Sequence, residues 1–201
     1  MITRWYDEPV TAVDTDAVRG AALTLFAERG YRATTMADIG AALGVRGPSL
    51  YRYLSAKQDV PVEIMTSTMT TLLAAQDAAY TSSGNPVLAV RRMVEAHVRF
   101  HAAHREEAFV GSREIGSLEE PARTAVLDLR RRYEGRLRAA VVEGVQAGQF
   151  AVSSERLASY AILDMGMGVA AWFRPDGPHS VDEVSYTYSN FALAMLGVRS
   201  G

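Results

Sequence analysis

Cysteine is absent from the 201 residues, which excludes disulfides, thiolate metal ligands and a thiol nucleophile. Lysine is almost absent: Lys57 is the single lysine among 21 basic residues. Long apolar runs are missing as well. The opening MITRWYDEPV lacks the apolar stretch of a signal peptide. The longest apolar region, Tyr160 to Phe173, is too short to span a bilayer and is interrupted by Asp164. A soluble cytoplasmic protein with no membrane partner is the expectation. The chain also lacks an internal repeat, a low-complexity tract, an alternating strand pattern, an HExxH motif, a helical ExxH pair, a Gly-rich phosphate loop and a nucleophile–base constellation. A helical enzyme is thus the weakest reading, and no cofactor is expected.

What is present is a hydrophobic content of 48%, enough for one large or two small domains with ample core. Net charge is −2, which on its own argues against an anionic partner. The local balance differs. Between Glu28 and Lys57 stand Arg29, Arg32, Arg46, Arg52 and Lys57 against only Glu28 and Asp38. Affinity for DNA follows the charge that faces the phosphates and not the chain total.

The basic stretch has a recognisable layout. A first helix is expected over about Asp14 to Arg29, with Val18, Ala21, Ala22, Leu25 and Phe26 as its stripe and Gly30 as its stop. Residues 1–13 show no period and read as a loose arm, in which Arg4 is a candidate DNA contact. Thr35 with Asp38 three positions later forms a capping-box-like pair. Ile39 and Leu43 share a face, and Gly44 supplies the left-handed conformation of a tight turn. Val45 plugs the turn. A second helix is expected from Pro48, where proline is tolerated, with Leu50 and Leu54 inward. Arg46, Gly47, Pro48, Ser49 and Arg52 are left to face base edges, Arg52 being suited to guanine O6 and N7. Such a pair is a helix-turn-helix, whose second helix enters the major groove.

The run GYRATTMADIGAALGVRGPSLYRYLSAK resembles the signature of the TetR family of bacterial transcriptional regulators. Gly30-Tyr31, Thr35, Ile39, Gly44-Val45, Leu50-Tyr51 and Lys57 carry the likeness in register. The resemblance implies an all-α protein: an arm and three-helix DNA-binding head over 1–58, then a larger helical domain for ligand binding and dimerisation over 59–201. It places Thr35, Tyr51, Tyr53 and Lys57 at positions that hold phosphates. It implies a homodimer on a palindromic operator, acting as a repressor that a small effector releases. Four departures stand out: Gly40 where alanine is common, Leu54 for phenylalanine, Gly47 in the turn, and Pro61. Either the fourth helix begins near Asp59, or it bends at Pro61.

Helices are expected throughout the rest: to about Tyr80 through Ile64, Met65, Met69, Leu72 and Leu73, then a loop over 81–86, then Val87 to His104, Phe109 to Ile115, Glu120 to Ala147, Ser154 to Phe173 and Val181 to Leu196. His97, His101 and His104 share one face, which reads as a zinc or nickel site of a metal-responsive regulator or, more plainly, as a patch of core or pocket. Arg130, Arg131, Arg132, Arg136 and Arg138 read as the mouth of an anionic ligand site or, more plainly, as a solvated face with Asp128–Arg132 and Glu134–Arg138 pairs. The helix from Tyr160 is apolar all round except at Asp164, and Val181, Val184, Tyr188, Phe191 and Met195 form a stripe on the last helix. That surplus argues for association. The C-terminal half, RRYEGRLRAAVVEGVQAGQF and MGMGVAAWFRPDGPHSVDEV, is similar to family members that respond to acyl-CoA thioesters. This second likeness implies an apolar tunnel lined by Phe100, Phe109, Tyr133, Met165, Met167, Trp172 and Phe173, with arginines such as Arg130 at its mouth.

Overall fold

The computed structural model describes residues 13–81 and 84–198. Residues 1–12 of the expected arm, with Arg4, and positions 82 and 83 of the expected loop lie outside the described residues. Among the described residues the chain is all helix and turn, with no strand, and no helix is long and apolar enough to cross a membrane.

The head begins with α1 (Thr15–Arg29), capped by Asp14, whose carboxylate accepts from Ala17 N at 2.8 Å. Val18, Ala22, Leu25 and Phe26 are its buried face, and Gly30 ends it at φ 84°. Helix α2 (Met36–Ala42) opens on the expected reciprocal box: Asp38 N donates to Thr35 Oγ1, and Thr35 N donates to the Asp38 carboxylate at 2.7 Å. Gly44 turns the chain at φ 68°. The second helix of the motif is shorter and tighter than expected. It is a six-residue 3-10 segment, Gly47–Arg52, closed by bonds such as Tyr53 N to Leu50 O at 2.9 Å. Leu50 and Leu54 are buried beneath it as expected.

Gly40 and Gly47 explain each other. A Cβ on Gly40 would lie 2.8 Å from Gly47 N and Val45 O, and one on Gly47 would lie 3.1 Å from the Ala37 backbone. The two elements therefore touch backbone to backbone. Gly47 is buried, which corrects its expected place on the base-facing surface: it sets the approach of the segment and presents nothing outward.

Helix α3 (Asp59–Thr81) starts late enough to put Pro61 in its first turn, where no helical N–H is lost. The Asp59 carboxylate accepts from Ala56 N at 2.7 Å. The body continues with α4 (Pro86–Ala103), α5 (Arg105–Arg113), a short 3-10 turn (Ile115–Ser117), α6 (Ala122–Gln146), α7 (Glu155–Met167), α8 (Val169–Trp172) and α9 (Val181–Met195). Helix α4 packs against α3, α5, α6, α7, α8 and α9 and carries the main core through Val90, Met93, Val94 and Val98. A second core joins the head to the body, from Val18, Phe26, Ile39 and Leu50 to Ile64, Met65, Val110 and Val126.

The expected long helix to Phe173 is broken at Gly168 into α7 and α8, and the apolar surplus read from the sequence lies at the surface of the single chain, at Leu157, Tyr160, Met167 and Trp172. On α9 the buried face is Val184, Ser185, Ser189, Ala192 and Leu193, while Phe191 and Met195 point outward. Small residues let α9 lie close on α4, so the larger apolar stripe is displaced to the surface.

Replacing Gly40 by alanine is expected to destabilise the protein by about 1–3 kcal/mol through overpacking, despite alanine's better helix propensity. Gly20→Ala, on the exposed side of α1 with open space around its Cβ, is expected to stabilise by about 0.5–1 kcal/mol. Urea unfolding of the two variants checks the pair.

Candidate functional site

The recognition segment presents Arg46, Pro48, Tyr51 and Arg52 exposed, with Ser49 and Tyr53 half-buried. Tyr51 is 57% exposed, more than a tyrosine needed only for packing. Arg52 Nε donates to Ser49 O at 3.4 Å, and its guanidinium lies 5.6 Å from the centre of the Tyr53 ring. Thr35 is exposed at the start of α2, its hydroxyl donating to Asp38 at 2.6 Å. The bonds from Thr35 hold the Asp38 carboxyl below its usual pKa. Lys57 sits differently from a free surface lysine. Its ammonium donates to Tyr31 O at 2.5 Å and lies 4.0 Å over the Tyr31 ring. Burial lowers its pKa, with Glu114 and Asp38 opposing.

Sequence reasoning missed the support of this face. The buried Thr34 hydroxyl is within hydrogen-bond reach of Leu25 O at 3.3 Å and Gly30 O at 3.0 Å, tying the end of α1 to the start of α2. Glu114, at the end of α5, accepts from Tyr31 N at 3.2 Å and from Ser117 Oγ at 2.8 Å. Thr24 on α1 donates to Glu106 on α5 at 3.0 Å, and Arg19 pairs with Glu63 on α3. The head is thus clamped to α3 and α5. The Thr-Thr pair at 34–35 was a visible signal; Glu114, 83 residues from Tyr31, had none.

The body holds a half-open inner cavity of about 280 Å³ lined by α3, α4, α5, α6 and α7. An outer cleft of about 620 Å³ lies between α1, α5, α7 and α8. The two share the walls Ala108, Ser112, Asp164 and Met167. Of the expected ligand residues, Arg130, Tyr133 and Met167 line the inner cavity, and Phe109 lines the outer cleft beneath the Arg113 guanidinium, 4.1 Å away. Phe100 packs with Met69, Leu72 and Tyr133, and stacks on His104 at 4.3 Å. Met165 and Phe173 belong to the core around α4, and Trp172 is exposed. The cavity-facing stripe of α7 is Leu163, Asp164 and Met167, and these three aromatic and methionine candidates lie off it.

Arg130 stands apart from its neighbours. It donates to Gly111 O across the cavity wall, and burial lowers its pKa. Arg131 pairs with Asp128, Arg138 with Glu134 at 3.7 Å, and Arg136 with Asp77 at 3.0 Å. Asp128 thus takes Arg131 instead of the expected Arg132.

The histidines do not form a metal site: among the described residues no three His, Asp or Glu converge as a ligand set. His97 has both ring nitrogens engaged, Nδ1 with the Tyr133 hydroxyl at 2.9 Å and Nε2 with Leu163 O at 3.0 Å. Its ring nests on Gly166, where a Cβ would come within 2.3 Å. His104 Nδ1 turns away to Glu107, 3.2 Å distant. Desolvation pushes the His97 pKa down to about 4; desolvation and the neighbouring His97 and His104 push that of His101 down to about 3. Both are neutral near pH 7.

The model described as bacterial regulatory proteins, tetR family, matches residues 19–64, and that described as tetracyclin repressor-like, C-terminal domain, matches 83–196. The chain is 25% identical over 179 residues to the HTH-type transcriptional repressor KstR2 of Mycobacterium tuberculosis, covering 88% of each chain. A solved structure of that ketosteroid transcriptional regulator superposes with a TM-score of 0.85 at 23% identity, covering 93% of this chain and 95% of the other. PfmR, a TetR family regulator of Thermus thermophilus, is 34% identical over 89% of this chain and 98% of its own, with a TM-score of 0.79. AibR, solved with isovaleryl coenzyme A and operator DNA, shares the fold at 21% identity and a TM-score of 0.77, covering 90% and 97%.

A histidine buried neutral has a folded pKa below its unfolded value of about 6.5. Protonation therefore favours the unfolded chain: the contribution is complete above about pH 6.5 and is lost as pH falls toward about 4 and 3. Between about pH 7 and pH 5 each of the two buried rings is expected to remove about 2 kcal/mol of stability. Urea midpoints at both pH values check this: His101→Leu is expected to lose about 2 kcal/mol less than the parent chain over that interval.

Proposed function

Because the chain belongs to the tetR family of bacterial regulatory proteins, a family of regulators and not of enzymes, we propose that it is a transcriptional repressor released from a palindromic operator by an acyl-CoA thioester. The observation that carries the DNA-binding part is the exposed row Arg46, Pro48, Tyr51 and Arg52, with Ser49 half-buried beside it, on a segment seated backbone-to-backbone on α2. Arg52 reads base edges, with Arg46, Pro48 and Ser49 beside it. Thr35, Tyr51, Tyr53 and Lys57 hold phosphates and fix the register. One Lys57 proton serves Tyr31, which leaves two for a phosphate. The functional boundary between head and body falls near residue 58, just before α3.

The effector class is supported by the paired cavities and by two proteins of the same fold, one named a ketosteroid regulator and one solved with an acyl-CoA. The acyl part occupies the inner cavity, and the coenzyme follows the outer cleft past Arg105 and Arg113. Helix α5 lines both spaces and holds α1 through Glu106 and, just beyond its end, Tyr31 through Glu114. A ligand that moves α5 thus re-aims the head. Its effect is limited to its differential affinity for the two arrangements, typically about 1–3 kcal/mol.

The homodimer is supported by Leu157 and Tyr160 of α7, Trp172 of α8, and Tyr186, Phe191 and Met195 of α9, all large apolar side chains left at the surface. A twofold interface of this kind presents two recognition segments to two half-sites.

Operator binding titrated with long-chain and branched acyl-CoA tests the whole reading; binding that no acyl-CoA weakens removes the effector class. Arg52→Ala is expected to lose about 1–3 kcal/mol on the cognate operator alone, whereas Tyr51→Ala weakens cognate and random DNA alike. Loss of cognate binding only, in both variants, would reverse these assignments. Phe191→Glu is expected to shift the chain to monomer in sedimentation equilibrium and to weaken operator binding with it.

A further inference from the structure

Tyr31 is bound on both sides, and the two sides belong to different parts of the molecule. Helix α1 ends where Gly30 N donates to Phe26 O at 3.0 Å, and Gly30 turns the chain at φ 84°. Past that turn, Tyr31 N donates to Glu114 Oε1 at 3.2 Å. The bare Gly30 leaves room for the carboxylate, since a Cβ there would lie 3.4 Å from the same oxygen. On its other side Tyr31 holds Lys57. Its carbonyl accepts from Lys57 Nζ at 2.5 Å, and its ring lies 4.0 Å from that ammonium. Its hydroxyl donates to Gln58 Oε1 at 3.2 Å.

Glu114 is itself fixed. As α5 ends, its N–H donates to Val110 O at 2.9 Å, and its carbonyl accepts from Ser117 N at 2.9 Å. Oε2 accepts from Ser117 Oγ at 2.8 Å. Val110 and Leu118, on either side, are buried in the core that the body shares with the head. A carboxylate held at both main chain and side chain anchors Tyr31 instead of following it. Lys57 gains from such an anchor. A lysine free to sample rotamers loses entropy when a phosphate immobilises it, whereas one already seated loses less.

Given Lys57 as a phosphate contact, the reading on which this rests, we infer that Glu114 is a positioning residue for DNA binding: acting through Tyr31, it seats the Lys57 ammonium before a phosphate arrives. Glu114 closes α5, the helix that lines both the inner cavity and the outer cleft. Displacement of that helix end unseats Lys57 across one intervening residue. The negative charge of Glu114 also favours the Lys57 ammonium directly, but the seat depends on where the oxygen lies.

Two variants separate the bond from the charge. Glu114→Gln keeps an acceptor oxygen at the same reach and removes the charge. Glu114→Asp keeps the charge and draws the oxygen back by a CH2 group. Lys57 is the only lysine of the chain, so protein labelled with carbon-13 at the lysine ε position gives one methylene signal. The nearby Tyr31 ring shifts its protons upfield. That shift is expected to persist in Glu114→Gln and to vanish in Glu114→Asp. Binding to a random-sequence DNA duplex is then titrated against salt, because phosphate contacts do not depend on sequence. Lys57→Ala is expected to flatten the slope of log K against log salt by about 1 in the parent chain and in Glu114→Gln. Glu114→Asp is expected to be flattened by about 1 already, and Lys57→Ala to change it no further. If Glu114 only stabilises the fold, Glu114→Asp lowers the urea midpoint but keeps the ring shift and the slope, which overturns the inference while the phosphate contact stands. Loss of both readouts in Glu114→Gln as well assigns them to the charge and overturns it too. A parent slope that Lys57→Ala leaves unchanged overturns the phosphate contact and, with it, the role given to Glu114.

Discussion

Helix α4 is packed against every other helix of the body, and the body is arranged around what that confinement demands. A helix so enclosed must be apolar on most faces or satisfy its polar groups within the protein. Val90, Met93, Val94 and Val98 meet the first requirement. Its neighbours meet the need for close approach by giving up side-chain volume: Gly166 on α7 makes room for the His97 ring, and Ser185, Ser189 and Ala192 on α9 lie against the opposite side. The second requirement is met at His97 by Tyr133 and Leu163, and is left unmet at Nδ1 of His101. The cavity exists where this packing stops, so its polar character is a product of the same helix that builds the core.

The head is organised by a second constraint, contact between backbones. With Gly40 against Gly47, the segment Gly47–Arg52 has no room to slide on α2. Beneath it, Ile39, Leu50 and Leu54 are shared with a core that extends into α3, α5 and α6. Around it, Thr24, Tyr31 and Arg19 are tied to Glu106, Glu114 and Glu63. The segment Gly47–Arg52 is thus rigid within itself, and its orientation is referred to α3 and α5, with which the head forms a single packed body.

Features set by neighbouring residues were legible in the chain. The Thr35–Asp38 box, the turns at Gly30 and Gly44, the inward Leu50 and Leu54, and the late start of α3 before Pro61 all depend on contacts a few positions apart. So did the helical repeat of the body. The 3-10 form of the recognition segment was not legible, because it depends on how closely α2 is approached. Gly40 looked like a defect in propensity until Gly47 was placed against it. On α9 periodicity marked the strongest apolar stripe, but serines and alanine won the inner face, since a helix pressed against α4 favours small side chains over large ones. The histidines shared a face as expected. Their purpose turned on a carbonyl 66 residues away in sequence, which no spacing rule reaches.

The contact between Gly40 and Gly47 also bears on how such a chain can diverge. The depth at which the segment sits is held by main-chain atoms, so it is indifferent to most side-chain replacements. Arg46, Ser49 and Arg52 are exchangeable without disturbing the frame that carries them. The two glycines are the opposite: a methyl group on Gly40 would collide with Gly47 and Val45, and one on Gly47 would press on the main chain of Met36 and Ala37. The outer side chains of the segment are thus free to drift, while the main-chain seat beneath them is not.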